Sequence, residues 1–144
     1  MILPVYNPVR VSSPYGWRTL RGKRQFHDGI DFVSDSGRAE VFAVSDGRIV
    51  YDQDDYDHEL RWRDKHHSAG NMIIQRIVIE GEIYYARYLH LIENRIDKGE
   101  NVAEGRVLGV YGDVGYSFGA HLHFDLYDQG WKKIDPTWIF RGMI

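Results

Sequence analysis

The chain has no cysteine. That excludes a disulfide framework and any metal centre built on thiolates, so a bound metal would have to use imidazole and carboxylate donors. No apolar run approaches the roughly 20 residues of a membrane-spanning helix. The start, Met1-Ile2-Leu3-Pro4-Val5, lacks the basic region, apolar stretch and small-residue cleavage site of a signal peptide. On this reading, export would depend on something outside the chain, or the chain is a mature or excised domain or a phage enzyme. Nor is positive charge in excess. Eighteen Lys and Arg against 21 Asp and Glu give a formal net charge of −3 with the signs interspersed, so neither nucleic acid nor a membrane surface is an expected partner. Long segments with a 3.6-residue apolar period are also missing, which predicts few and short helices.

What is present points to strands. The 15 glycines, an aromatic content of 14% and ten tyrosines bias the chain toward strands joined by tight turns. A length of 144 residues suits one domain that closes its own core. We therefore expect a mainly β, monomeric single domain over residues 1–144, with strands at Glu40–Val44, Gly47–Tyr51, Asn71–Ile79, Glu82–Leu89, Val107–Val110 and His121–Leu126. Asn71–Glu80 and Glu82–Leu89, joined at Gly81, read as a β-hairpin. One stretch breaks the pattern. Asp52–Ala69 is polar, densely charged and carries His58, His66 and His67, which reads as a long insertion loop or groove rim.

Five residues carry the chemistry. In His121-Leu122-His123-Phe124-Asp125 the alternation argues for a strand, on which residues two apart share a face. Both imidazoles then point into one space, while Leu122 and Phe124 point to the core. His27-Asp28-Gly29-Ile30-Asp31 adds an imidazole and a carboxylate, with Gly29 expected to let the backbone turn tightly enough to bring them together. His90, in Tyr88-Leu89-His90-Leu91, follows the end of an expected strand. Three such groups can hold a zinc ion with its fourth position open, and two remain to move protons. Two neutral histidines and one carboxylate leave such a site with a net charge of about +1, enough to polarise a carbonyl and acidify bound water.

Together with Ser13-Pro14-Tyr15-Gly16-Trp17-Arg18, Val44-Ser45-Asp46-Gly47, Gly70-Asn71, Gly112–Gly119 and Asp135-Pro136, these segments resemble the lysostaphin-like, LytM-type zinc endopeptidases of bacterial cell walls. The resemblance spans nearly the whole chain in the family's order. It implies an antiparallel sheet or sandwich, of the duplicated hybrid motif kind, with a narrow groove over one zinc ion. It further implies hydrolysis of peptide bonds in peptidoglycan stems or cross-bridges, at the cell wall or in the periplasm. Carried over residue by residue, it makes His27, Asp31 and His123 the zinc ligands and His90 and His121 the catalytic pair.

Several rival signals fail on chemistry. Gly115-Tyr116-Ser117-Phe118-Gly119 fits a serine nucleophile elbow, but a strand follows where a helix is needed, and no histidine occurs after His123. His58-Glu59-Leu60-Arg61-Trp62 has tryptophan where the helical zinc motif needs its second histidine. Asp52–Asp57 hints at a calcium loop, yet the sixth position is Asp57 and the twelfth Arg63. A sugar-permease phosphocarrier domain, whose related topology also faces two histidines, has no use for Asp31 beside His27, since a carboxylate would repel a phosphohistidine. The remaining alternative is a wall-binding or virion structural module that keeps fold and metal without turnover.

Overall fold

The computed structural model describes residues 1–54, 70–113 and 119–144. Most of the expected insertion, with Tyr56, His58, Trp62, His66 and His67, and the Gly115–Phe118 part of the elbow-like segment lie outside the described residues. The elements are β1 (Val9–Ser13), β2 (Gly16–Leu20), β3 (Lys23–His27), β4 (Ile30–Ser34), β5 (Glu40–Phe42) and β6 (Gly47–Gln53). They continue with β7 (Asn71–Ile79), β8 (Glu82–Asn94), β9 (Asn101–Val102), β10 (Val107–Tyr111), β11 (Leu122–Asp128) and β12 (Lys133–Ile134). One turn of 3-10 helix at Thr137–Phe140 follows.

Among the described residues every strand pairing is antiparallel, in agreement with the expected antiparallel sheet. The main sheet runs β1-β4-β11-β8-β7-β6-β9. The long strand β8 pairs with β7 along most of its length and with β10 near its end, and β10 carries β5, so the sheet divides at β8. β2 and β3 form a separate two-stranded ribbon. The β7–β8 hairpin forms as expected, with Ile79 opposite Glu82 and both turn residues, Glu80 and Gly81, at positive φ. That is the twist-matched geometry of a two-residue hairpin loop.

Alternation sets the two faces of the central strands. Leu122, Phe124 and Leu126 of β11 are fully buried beside Tyr88, Phe32 and Phe140, leaving His123, Asp125 and Tyr127 on the opposite face. Tyr88 is a polar group in this core, and its hydroxyl donates to Gln75 Oε1 at 2.7 Å and accepts from the Val44 N–H at 3.1 Å. Both needs of the buried phenol are thereby met, and burial pushes its pKa up.

Three differences from the sequence-based expectation concern the site. β1 to β4 were not expected as strands: β2 and β3 are only five residues each and carry charged side chains, so their alternation is weak. β8 does not stop at Leu89 but runs to Asn94, with His90 inside it. β5 is shorter than expected, ending at Phe42 where the chain leaves β10.

Candidate metal and catalytic site

The strand ends at one edge of the β4–β11–β8 region bring the five expected residues together. Cross-strand register sets His123 of β11 opposite Asp31 of β4 on one side and Leu89 of β8 on the other. His27 ends β3, and the two residues that follow carry the chain into β4, so His27 and Asp31 close on His123. His27 Nε2 lies 3.2 Å from Asp31 Oδ1 and 3.2 Å from His123 Nδ1, and His123 Nδ1 lies 2.9 Å from Asp31 Oδ1.

Gly29 is needed here for a different reason from the one expected. Its φ is not in the left-handed region, but a Cβ on it would sit 2.6 Å from the His123 ring and 2.6 Å from the Phe124 carbonyl oxygen. The glycine makes room for the imidazole and is not needed for a special turn.

The outer nitrogen of each ring fixes what the inner one presents. His27 Nδ1–H donates to the Pro14 carbonyl at 2.9 Å, so its Nε2 carries a lone pair. His123 Nε2–H donates to Asp125 Oδ2 at 3.1 Å, which turns Nδ1 inward. Two ring nitrogens and a carboxylate oxygen therefore form a triangle of acceptors with edges of 2.9–3.2 Å. Such a triangle is stable only around a shared cation. A tetrahedral zinc with bonds of about 2.0–2.1 Å would space its ligands only a few tenths of an ångström wider. The donor set suits a divalent metal, and these three residues are one of the groupings able to hold one.

Charge within the cluster is strongly coupled. Burial works against a charged His123, but its hydrogen bonds to Asp125 and Asp31 outweigh that and push its pKa up to about 9. Burial likewise opposes ionisation of Asp31 and Asp125. The hydrogen bond from His123 and the close approach of His27 hold Asp31, and the hydrogen bonds from His123 and Arg87 hold Asp125, well below the usual carboxylate range. Without a metal, a proton on His123 Nδ1 bridges to Asp31 and stands where the cation would.

His90 and His121 lie beside this triangle without joining it. Their rings are 4.9 Å apart between centroids, and His90 is 6.1 Å from the His123 ring. His121 Nδ1–H donates to the Gly119 carbonyl at 2.8 Å, aiming Nε2 at Asp31 Oδ1, 3.6 Å away. His90 reaches the site through a β-bulge. Asn71 pairs with Leu91 and Ile73 with Tyr88, so Leu89 and His90 together face Met72, and His90 takes a φ of 66°. Bulges re-aim side chains next to functional sites, and a left-handed histidine is a strained conformation of the kind that clusters there.

Supporting residues outside the five were not assigned roles from the sequence. Arg18 donates to Ser13 Oγ at 2.8 Å and lies 3.6 Å from Asp31 Oδ2. Arg87 grips the fully buried Asp125 with two hydrogen bonds of 2.9 and 2.7 Å, and Lys133 stands 3.4 Å from the same carboxylate. Asp125 continues the two-residue spacing of His121 and His123, a signal that could have found it. Nothing in the sequence singles out Arg87.

The model of peptidase family M23 matches residues 25–136, which take in all five site residues. The chain belongs to that family. Among M23 relatives, the peptidoglycan DD-endopeptidase ShyA of Vibrio cholerae is 32% identical over 130 residues. That alignment covers 88% of this chain and 27% of the relative. The catalytic domain of the antimicrobial peptidase lysostaphin from Staphylococcus simulans superposes with a TM-score of 0.72 at 26% identity, covering 94% of this chain and 95% of that one. A zinc-containing peptidase from Vibrio cholerae superposes with a TM-score of 0.68 at 27% identity, over 92% of this chain and 37% of that one. The expected lysostaphin-like β architecture is therefore the observed one. The chain spans about a quarter of the ShyA length.

Proposed function

We propose that this chain acts as a single LytM-type peptidase domain, a zinc-dependent endopeptidase that hydrolyses peptide bonds in the stems or cross-bridges of bacterial peptidoglycan outside the cytoplasm. One observation carries the reading: the inner nitrogens of His27 and His123 and the carboxylate of Asp31 converge within 3.2 Å, with both outer ring nitrogens already donating elsewhere. Relatives named as peptidoglycan endopeptidases and a zinc-containing peptidase of the same fold support the substrate class and the metal.

In this reading His27 Nε2, Asp31 and His123 Nδ1 hold one zinc ion. When bound, the ion would polarise the scissile carbonyl and lower the pKa of water toward neutrality. His121 has the geometry of a base: its Nδ1–H is tied to Gly119 and its Nε2 lone pair faces the Asp31 side of the triangle. A proton taken there needs to travel only to the neighbouring His90 ring or to the departing amine. His90, buried and fixed by its bulge, is placed to donate to the oxyanion formed on the attacked carbonyl. Arg18 braces the outer oxygen of Asp31, and Asp125 holds His123 in its ligating tautomer.

Alanine variants test the division of roles. His27→Ala, Asp31→Ala and His123→Ala should each abolish stoichiometric zinc in the purified protein. His90→Ala and His121→Ala should retain zinc and lose at least about a hundredfold in turnover. Loss of zinc in either of the last two would overturn the assignment.

A further inference from the structure

The face of the sheet that carries the metal-ligand candidates does not end at them. Down β11 the same face presents His123, Asp125 and Tyr127, and Tyr127 lies in a cross-sheet row defined by register. Lys133 pairs with Tyr127, Tyr127 with Tyr85, Tyr85 with Arg76, and Arg76 with Arg48. Aromatic rings therefore occupy the middle of the row, and cations stand at both ends.

Trp131 lies against this row. Its ring stacks on Tyr85 at 3.8 Å between centroids and 11° between planes, with Tyr127 5.7 Å away, yet half of it remains exposed. The backbone is bent to put it there. Trp131 has a φ of 61°, in the left-handed region that glycine or asparagine adopts readily and bulky residues avoid. The β11–β12 turn holds that conformation through the Trp131 N–H on the Asp128 carbonyl at 3.0 Å and the Lys132 N–H on Asp128 Oδ1 at 2.9 Å. A tryptophan at a position where glycine would be unstrained, stacked on a ring yet half in solvent, has the character of a binding platform.

We propose that the Trp131–Tyr85 stack is a saccharide subsite that takes the apolar face of an N-acetylhexosamine ring of the glycan strand. The proposal rests on the peptidoglycan reading above and names the part of the polymer bound away from the reacting bond. Two features support the sugar as occupant. The exposed indole is a flat apolar surface matched to the C–H face of a pyranose ring. Tyr127 lies four residues from His123 along one strand, so the platform is about 13 Å from the site. An extended stem peptide of three or four residues spans about 10–14 Å between sugar and cross-link, and so bridges the two.

Trp131→Gly tests the subsite without threatening the fold, because glycine relieves the left-handed backbone as it removes the ring. Calorimetry with peptide-free glycan strands should show binding by the wild type, affinity at least about tenfold weaker for Trp131→Gly, and recovery to within about threefold for Trp131→Phe. In parallel, kcat/KM of Trp131→Gly should fall about tenfold on glycan-bearing cross-linked muropeptides and stay unchanged on the same cross-linked peptide without sugar. Equal glycan affinity in wild type and Trp131→Gly, no glycan binding by the wild type, or an equal fall on both substrates would overturn the proposal. Glycan binding that depends on Trp131 in a protein that cleaves neither substrate would uphold the subsite and refute the peptidase reading.

Discussion

At the residue scale, the site is organised by what each histidine does with its second nitrogen. Pro14 and Asp125 take the outer protons of His27 and His123, and that choice turns three inner atoms into mutual acceptors. Asp125 therefore matters although it lies outside the triangle. Asp125→Asn keeps the shape but loses the charge that orients His123 and pairs with Arg87, and it should weaken zinc affinity about 10–100-fold. Competition with a chromophoric chelator measures this, and unchanged affinity would show that Asp125 serves only packing. His27, Asp31 and the parity of His121 and His123 were legible in the sequence because donor type and two-residue spacing are local properties. Arg18 and Arg87 were not, since Arg87–Asp125 is set by the register of β8 against β11, and Arg18–Asp31 by where the separate β2–β3 ribbon sits against β4.

At the scale of elements, the strands that alternate strongly were legible, and those that serve the site were less so. β7, β8 and β11 announce themselves through apolar alternation and, for the first two, the Glu80-Gly81 turn. The β2–β3 ribbon does not, because it packs few apolar side chains and leaves Trp17 and Phe26 exposed. The bulge in β8 was invisible for a related reason: the extra residue is defined by the register of β7 against it, which no single strand encodes. The turn itself yields a stability prediction. Glu80 sits at a φ of 51°, where asparagine is at less cost, so Glu80→Asn should stabilise the fold by about 1 kcal/mol. Thermal unfolding should then rise by about 2–4 °C, and an unchanged or lower midpoint would count against the turn geometry described.

At the scale of the whole molecule, the buried charge cluster makes metal binding and stability one problem. In the metal-free protein the folded-state pKa of His123 is raised to about 9. Its stabilising contribution is therefore complete below the unfolded value near 6.5 and is lost as pH rises toward 9. Asp31 and Asp125 have lowered folded-state values, so their contributions are present above about pH 4 and fade on acidification. Chelator-treated protein should be most stable between about pH 4 and 6.5, read as the urea midpoint across pH, and a midpoint that does not fall between pH 6.5 and 9 would contradict this coupling. Metal binding below pH 9 should release the His123 proton.

The central claim joins that metal to a cleaved bond. Mass spectrometry of fragments released from purified peptidoglycan tests it most directly, with the protein alone, with chelator, and with zinc restored. New amino termini should appear with the protein, vanish with chelator and return with zinc. Peptidoglycan that yields no chelator-sensitive amino termini would contradict the account.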